Sequence, residues 1–275
     1  MLTATVLALS AACMHAGWNL AVKRSDIDRF HMLWGQVLFG ASIGLVVLVA
    51  LGGMDTGAWK WAALSGVIHI PYTVLLTRAY DLGDFSQVYP LARGTGALLA
   101  AIGGIAVLGD RIGPSTAVAI GIVITGLYLL VGRAPGPAAF AALGVAVTIG
   151  AYTLVDARGS RVSGVAYYGL ATGFMSAVAI SAYGVATGRH RGLLADARRE
   201  WRTMLVGGVA QKLTYTFVLA AVRLAPVGYV TALRESSVVL AVLLGSLVLG
   251  EGQGRRRVVA GTVVLAGVVM LVASA

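Results

Sequence analysis

Two arginines lie inside apolar runs of helical length, and each is followed 17 residues later by an acidic residue. Arg93 precedes Asp110 in this way, and Arg234 precedes Glu251. A charged side chain near the middle of a membrane helix costs roughly 2.5–3.5 kcal/mol on insertion. A guanidinium group can bind a carboxylate or phosphonate through two parallel hydrogen bonds. We therefore predict that Arg93 and Arg234 bind the anionic group of a solute.

Four further polar residues lie deep in apolar runs, namely His69, Gln211, Lys212 and Glu235. Lys212 and the two arginines give three positive charges against one from Glu235, which favours an anionic or zwitterionic solute. His69, Gln211 and Lys212 are therefore candidate substrate contacts. Glu235 is the leading candidate for binding a coupling ion, and an ion pair with Lys212 is the structural alternative.

Aromatic and amide side chains complete the candidate set. Tyr89 and Tyr215 are predicted substrate contacts, although tyrosines also serve in cores and at interfaces. His15, Trp18 and Asn19 are candidate pathway residues in the first run, and helix–helix hydrogen bonds are the alternative for the two polar members.

For several residues the alternative is an ordinary structural role. Arg93 could extend its side chain to the membrane interface, and His69 could form a local hydrogen bond. Charges near the ends of runs, such as Asp81, Asp156 and Arg223, are most simply interpreted as solvated loop residues.

The composition predicts that these runs lie in a membrane. The chain has 275 residues, of which 58% are hydrophobic and only 12% are charged, and a soluble domain could not cover such a surface with polar groups. The formal net charge of +10 lies mostly in short loops, where Lys and Arg set membrane orientation. We therefore do not expect nucleic-acid binding.

Unbroken apolar runs of about 20 residues predict an all-α polytopic membrane protein with ten transmembrane helices, not a β-barrel. Glycines four residues apart, at Gly40 and Gly44 and at Gly169 and Gly173, predict close helix packing. The longest predicted connection is 188–201. The predicted spans are 2–22, 31–51, 59–80, 86–108, 114–132, 137–155, 164–187, 202–222, 228–249 and 256–273.

The second half of the chain repeats the order of the first. Positions 93 and 110 lie 141 residues before positions 234 and 251, and the fourth and ninth spans align without a gap. Residues 1–135 and 136–275 are therefore predicted to be two five-helix repeats of one membrane domain. Because five is odd, the repeats must cross the membrane in opposite directions, an arrangement that places binding sites near the midplane.

These segments resemble the EamA-type branch of the ten-helix drug/metabolite transporter superfamily. The resemblance covers nearly the whole chain and implies secondary transport, usually export, of metabolites or amino-acid-like compounds. It also implies a multi-pass protein of the cell (inner) membrane, with a central cavity lined by the third, fourth, eighth and ninth helices. The matching segments are His15-Ala16-Gly17-Trp18-Asn19 with Lys23, Tyr89-Pro90-Leu91-Ala92-Arg93-Gly94, Leu108-Gly109-Asp110 and Leu249-Gly250-Glu251.

We therefore predict a secondary active transporter, an exporter or exchanger working by alternating access. Its expected substrate is an amino acid, a related zwitterion or an organic anion. Neither a cofactor nor a metal is expected, because the sequence lacks metal-ligand spacing, a phosphate loop and a nucleophile elbow. The alternatives are a channel, a non-transporting membrane subunit and, least favoured, a membrane-embedded enzyme. The duplicated halves favour a functional monomer, with a homodimer as the open alternative.

The distribution of basic residues and the family resemblance predict opposite orientations of the chain in the membrane. Most basic residues outside the deep positions follow odd-numbered spans, so the positive-inside rule places both termini outside the cytoplasm. The resemblance implies that both termini lie inside. The sequence therefore leaves the direction of transport and the coupling ion open.

Overall fold

The computed structural model describes residues 1–53, 55–83, 85–131, 136–249 and 255–273. These residues form eleven helices and no strand, which confirms the all-α prediction for the described part of the chain. The helices are α1 (Leu2–Arg24), α2 (Arg29–Ala50), α3 (Thr56–Leu82), α4 (Phe85–Leu108), α5 (Pro114–Val131), α6 (Gly136–Val162), α7 (Val165–Ala186), α8 (Leu193–Leu224), α9 (Val227–Arg234), α10 (Ser236–Leu249) and α11 (Arg255–Ala273).

Three predicted boundaries differ from the structure. Helix α6 continues to Val162, so Asp156 lies within a helix instead of a loop. Helix α8 begins at Leu193, inside the predicted long connection, and Glu200 interrupts it with φ −119° and ψ 19°. The predicted ninth span is divided into α9 and α10 at Glu235. Hydropathy misplaced the first two boundaries because polar residues continue a helix wherever solvent or a partner satisfies their side chains.

The outer surface of the bundle is apolar, and polar side chains lie inside. Phe140 is 78% exposed and Val46 is 70% exposed, whereas Gln36 and Ser65 are fully buried. Among the described residues, six helices are long and apolar enough to cross a membrane, namely α1, α2, α4, α6, α7 and α8. This distribution is typical of a protein whose surface meets lipid.

Glycines bring the helices around the centre into backbone contact. A Cβ atom at Gly208 of α8 would lie 2.9 Å from the backbone nitrogen of Gly40 on α2, and it would overlap the Gln36 carbonyl oxygen. A Cβ atom at Gly66 of α3 would lie 2.7 Å from the carbonyl carbon of Met175 on α7. Helix α2 therefore packs closely on α8, and α3 packs closely on α7.

Candidate functional site

A central cavity lies among seven helices of the described chain. The third, eighth and ninth helices line it, as the family resemblance implies. Of the described residues, however, none on α4 lines the cavity, and α1, α2, α6 and α7 contribute lining residues instead. The predicted site residues that line it are His15, Trp18, His69, Gln211, Lys212, Tyr215 and Arg234.

Arg234, the last residue of α9, is a buried cation in the cavity wall. It is 5% exposed, and its side chain forms no hydrogen bond or ion pair in the described part of the chain. Its Nε atom is fully buried without a partner. The guanidinium group therefore offers donors to the cavity while its charge lacks a neighbouring counter-ion in contact.

Lys212 brings a second positive charge into the cavity from α8. Its side chain extends along α7, and its ammonium group occupies the space that a side chain at Gly173 would fill. The missing Cβ atom at Gly173 therefore creates the room for Lys212. Within the described ranges, the ammonium group forms neither an ion pair nor a hydrogen bond.

Arg93 and Glu235 form a buried ion pair. The Nη2 atom of Arg93 donates a hydrogen bond of 2.6 Å to Oε1 of Glu235, and the two side chains are 5% and 1% exposed. The predicted alternative, in which Glu235 pairs with Lys212, is therefore wrong. Arg93 is not among the described residues that line the cavity, so its predicted contact with substrate stays a prediction.

Aromatic rings form one side of the cavity. Tyr152 of α6 stacks on His69 with ring centroids 4.7 Å apart and meets Tyr72 edge-on at 5.7 Å. His15 and Trp18 of α1 also pack edge-on, at 4.8 Å. The Nδ1–H group of His69 donates to the Ser65 carbonyl at 2.7 Å, which is the local hydrogen bond considered as its alternative role.

Two buried polar groups in the wall have no protein partner among the described residues. The Nε1 atom of Trp18 and the hydroxyl oxygen of Thr214 are fully buried without a hydrogen bond. Both side chains line the cavity. Buried polar groups are normally satisfied, so unpartnered groups that converge on one cavity indicate that water or a polar ligand occupies it.

Asp156 is a functional candidate that the sequence interpretation missed. It is 1% exposed instead of solvated, because α6 continues past it. Tyr168 donates a hydrogen bond of 2.9 Å to Oδ1, and Tyr215 donates to Oδ2. Tyr215 also lines the cavity, so this buried carboxylate lies directly behind the cavity wall. The only available signal was an acidic residue between two apolar runs, which is also the signal of a loop.

Three other predicted site residues join helices. Asn19 donates to the His15 carbonyl at 2.9 Å and accepts a hydrogen bond of 2.9 Å from Tyr80 on α3. Gln211 donates to Oε1 of Gln36 at 2.6 Å, which links α8 to α2. Tyr89 is buried, and its hydroxyl group lies 3.3 Å from that of Ser237 on α10. Asn19 and Tyr89 are not among the described lining residues.

The acidic end of the first copy of the motif, Asp110, is not among the described residues that line the cavity. The side chain of Asp110 accepts a hydrogen bond of 2.8 Å from the Val227 amide and thereby caps the start of α9. Gly109, with φ +72°, makes the turn that leads to it. Glu251, the matching residue of the second copy, lies outside the described residues. No group of three or more metal-ligating side chains occurs in the described part of the chain.

Comparisons with known proteins agree with this architecture. The sequence model of the EamA-like transporter family matches residues 136–273, a range that starts where the second repeat is predicted to start. A comparison with curated proteins gave no match. A solved crystal structure covers 98% of this chain and 96% of its own at 17% identity, with a TM-score of 0.74. At that identity, the likeness shows a shared fold alone.

Proposed function

Because this chain belongs to the EamA-like transporter family, it is a multi-pass membrane transporter of small molecules, and we propose that it works as a secondary active transporter. Family membership points to a transporter and not to an enzyme. The proposed substrate is an amino acid, a related zwitterion or an organic anion. The proposed route is export or exchange across the cell (inner) membrane by alternating access.

The observation that carries this proposal is the unpaired charge of Arg234. A permanently charged side chain buried in a membrane protein requires a counter-ion or a wet cavity, and no described residue supplies a counter-ion in contact. Lys212 adds a second cation to the same cavity, whereas Arg93 is neutralised by Glu235. The carboxylate of an amino acid or organic acid would provide the missing negative charge. The aromatic rings beside it favour a solute that also has an apolar or cationic part.

We propose further that α9 and α10 cross the membrane as one span, which gives ten spans in two inverted repeats. The pattern of helix contacts supports the repeats. Helix α3 packs on α7 as α8 packs on α2, and α3 packs on α6 as α8 packs on α1. Helices α1, α2 and α3 of the first half correspond to α6, α7 and α8 of the second half. Each contact therefore has a counterpart between the corresponding helices.

Helices α5 and α11 support the same proposal at the level of atoms. A Cβ atom at Gly126 would lie 2.7 Å from Cγ2 of Val264, and one at Gly267 would lie 2.7 Å from Cγ2 of Val123. Each residue is 141 positions from its equivalent. Reciprocal contacts of this kind are the signature of a two-fold axis, and rocking of one repeat against the other is a common basis for alternating access.

The test is a thermal-shift screen of purified protein against amino acids, organic acids, phosphonates and cationic drugs. A ligand that binds only the folded state raises the melting temperature by mass action. We expect stabilisation by an anionic or zwitterionic compound. Arg234→Ala should reduce that affinity roughly 10- to 150-fold, because hydrogen bonds to charged groups contribute about 1.5–3 kcal/mol. The matched control is Arg223→Ala, since Arg223 is exposed near the end of α8.

The Arg234→Ala variant should fold normally, so a loss of binding would not result from misfolding. Arg234 has no partner among the described residues, so its removal leaves no buried carboxylate unpaired, and the unliganded variant should melt near the wild-type temperature. Stabilisation by cations alone, or equal loss of binding in both variants, would refute the assignment of Arg234. A channel would instead show flux far above carrier rates and no counterflow in vesicles.

A further inference from the structure

Asp156 is an intramembrane carboxylate that the proposed transport site does not yet use. Its two oxygens accept hydrogen bonds from the hydroxyl groups of Tyr168 and Tyr215. No Lys, Arg or His nitrogen forms an ion pair with it in the described part of the chain. In contrast, the other fully buried carboxylate of the described ranges, Glu235, is neutralised by Arg93 at 2.6 Å.

The surroundings of Asp156 connect it to the cavity. Ser65 of α3 and Lys212 of α8 face its carboxyl group in addition to the two tyrosines. Lys212 and Tyr215 both line the cavity, so only one layer of side chains separates Asp156 from a bound solute. Two further titratable neighbours lie in the cavity wall. Tyr152 is on α6, the helix that also contains Asp156, and His69 of α3 stacks on Tyr152.

The charges of the site depend on this one carboxyl group. With Arg93 and Glu235 cancelling each other, Lys212 and Arg234 contribute two positive charges and ionised Asp156 subtracts one. A proton transferred from hydronium in the solvent to a carboxyl oxygen of Asp156 leaves both positive charges for the solute. One O–H bond of hydronium breaks, the O–H bond of the carboxyl group forms, and water is released. Ionisable side chains in membrane spans commonly mark proton relays.

We propose that Asp156 binds the coupling proton, and that the proton and the anionic solute bind together. This inference rests on the proposed function, because it needs an anion to bind beside Lys212 and Arg234. Protonation of Asp156 removes a negative charge from beside the anion. The proton therefore binds more tightly when the anion is present, and the anion binds more tightly when the proton is present. Linkage makes the effect reciprocal. The proton and the anion therefore cross the membrane in the same direction, so that export is driven by the outward gradient of the anion itself and carries a proton out with it.

The coupling should be large enough to measure. One elementary charge at about 6–10 Å from the anion, with an effective dielectric constant of about 20, changes the affinity roughly 10- to 100-fold. Wild-type protein should therefore bind an anion more tightly as the pH falls. Asp156→Asn, which keeps the shape of the protonated side chain but cannot ionise, should bind with the low-pH affinity of the wild type at every pH.

The experiment is calorimetric titration of the full chain in detergent with succinate, L-glutamate and methanesulfonate, whose acidic groups stay ionised near neutral pH. Repeating each titration in two buffers of different ionisation enthalpy gives the number of protons taken up per anion. At the pH of maximum uptake, we expect about 0.5–0.8 proton per anion for wild type, which is what a 10- to 100-fold reciprocal coupling gives, and none for Asp156→Asn. Asp81→Asn is the matched control, because Asp81 is a surface residue paired with Arg29, and it should behave as wild type.

The outcomes separate this inference from the function on which it rests. Binding without proton uptake by the wild type, or undiminished uptake in Asp156→Asn, would overturn the coupling role and leave anion transport intact. Failure of all three anions to bind would overturn the proposed function and this inference with it. If Asp156→Asn does not fold, Asp156→Glu serves as the second variant and should retain uptake. In vesicles, Asp156→Asn should keep anion exchange but lose accumulation driven by a proton gradient.

Discussion

The Arg93–Glu235 pair allows the sharpest stability prediction. The two side chains meet at 2.6 Å and are 5% and 1% exposed, so neither partner can be hydrated if the other is removed. Breaking a buried pair by removing one partner typically costs about 3–5 kcal/mol, because a buried charge is left uncompensated. We therefore expect Arg93→Met and Glu235→Gln each to lower the free energy of unfolding by about that amount.

The double variant should recover most of this loss. Arg93→Met with Glu235→Gln removes both charges, and replacing a buried pair by neutral groups is often close to neutral in stability. Because each single variant is expected to lose about 3–5 kcal/mol and the double variant little, the expected coupling energy of the double-mutant cycle approaches the sum of the two single losses, about 6–10 kcal/mol. Additive losses within about 0.5 kcal/mol would show that the two residues do not interact.

The assay is reversible unfolding of the purified variants by increasing mole fraction of a denaturing detergent, followed by circular dichroism. Arg234→Ala provides the internal comparison, because it removes an equally buried arginine that has no partner among the described residues. A loss of several kcal/mol in Arg234→Ala would refute the reasoning that pairing, not burial, decides the cost. The double variant also reports function, since retained anion binding would show that Arg93 is structural.

Two further stability predictions follow from the helix packing. Gly208→Ala should lower the melting temperature and cost at least about 1–3 kcal/mol, because its Cβ atom would meet helix backbone across the interface. The control is Gly121→Ala, whose Cβ atom would meet nothing within 4 Å and which should have no harmful effect. Equal melting temperatures of the two variants would contradict the proposed contact. Asp110→Ala should destabilise by about 1 kcal/mol through loss of the bond that caps α9 at Val227. Asp110→Asn should retain most of that stability, and a loss equal to that of the alanine variant would argue against capping.

The sequence predicted the helices correctly where a single local physical constraint determines them. The hydrocarbon core fixes the length and apolarity of a span, so most helices of the described chain were predicted to within a few residues. The resemblance to the transporter family was confirmed by the family model, which matches residues 136–273. The prediction failed at Asp156 and Leu193, where polar residues continue a helix and hydropathy therefore gave the wrong boundary.

The sequence also determined the charge imbalance of the site. Two arginines lie at equivalent positions of the two halves, but the residue after Arg234 is Glu235, whereas the residue after Arg93 is Gly94. A single carboxylate cannot neutralise both arginines, and this follows from residue types alone. The sequence therefore predicted a surplus of positive charge among the deep residues, but its size became known only when the structure placed Asp156 in the same interior.

Only the tertiary structure decided which arginine stays free. Glu235 follows Arg234 in the chain, at the point where α9 ends, but the two side chains form no ion pair with each other in the described part of the chain. Glu235 meets Arg93, which is 142 residues away, and Arg234 is left to line the cavity. Asp156 is likewise enclosed by tyrosines 12 and 59 residues away. Pairing in a membrane interior depends on which helix faces are brought together, and that information is not contained in any local stretch of sequence.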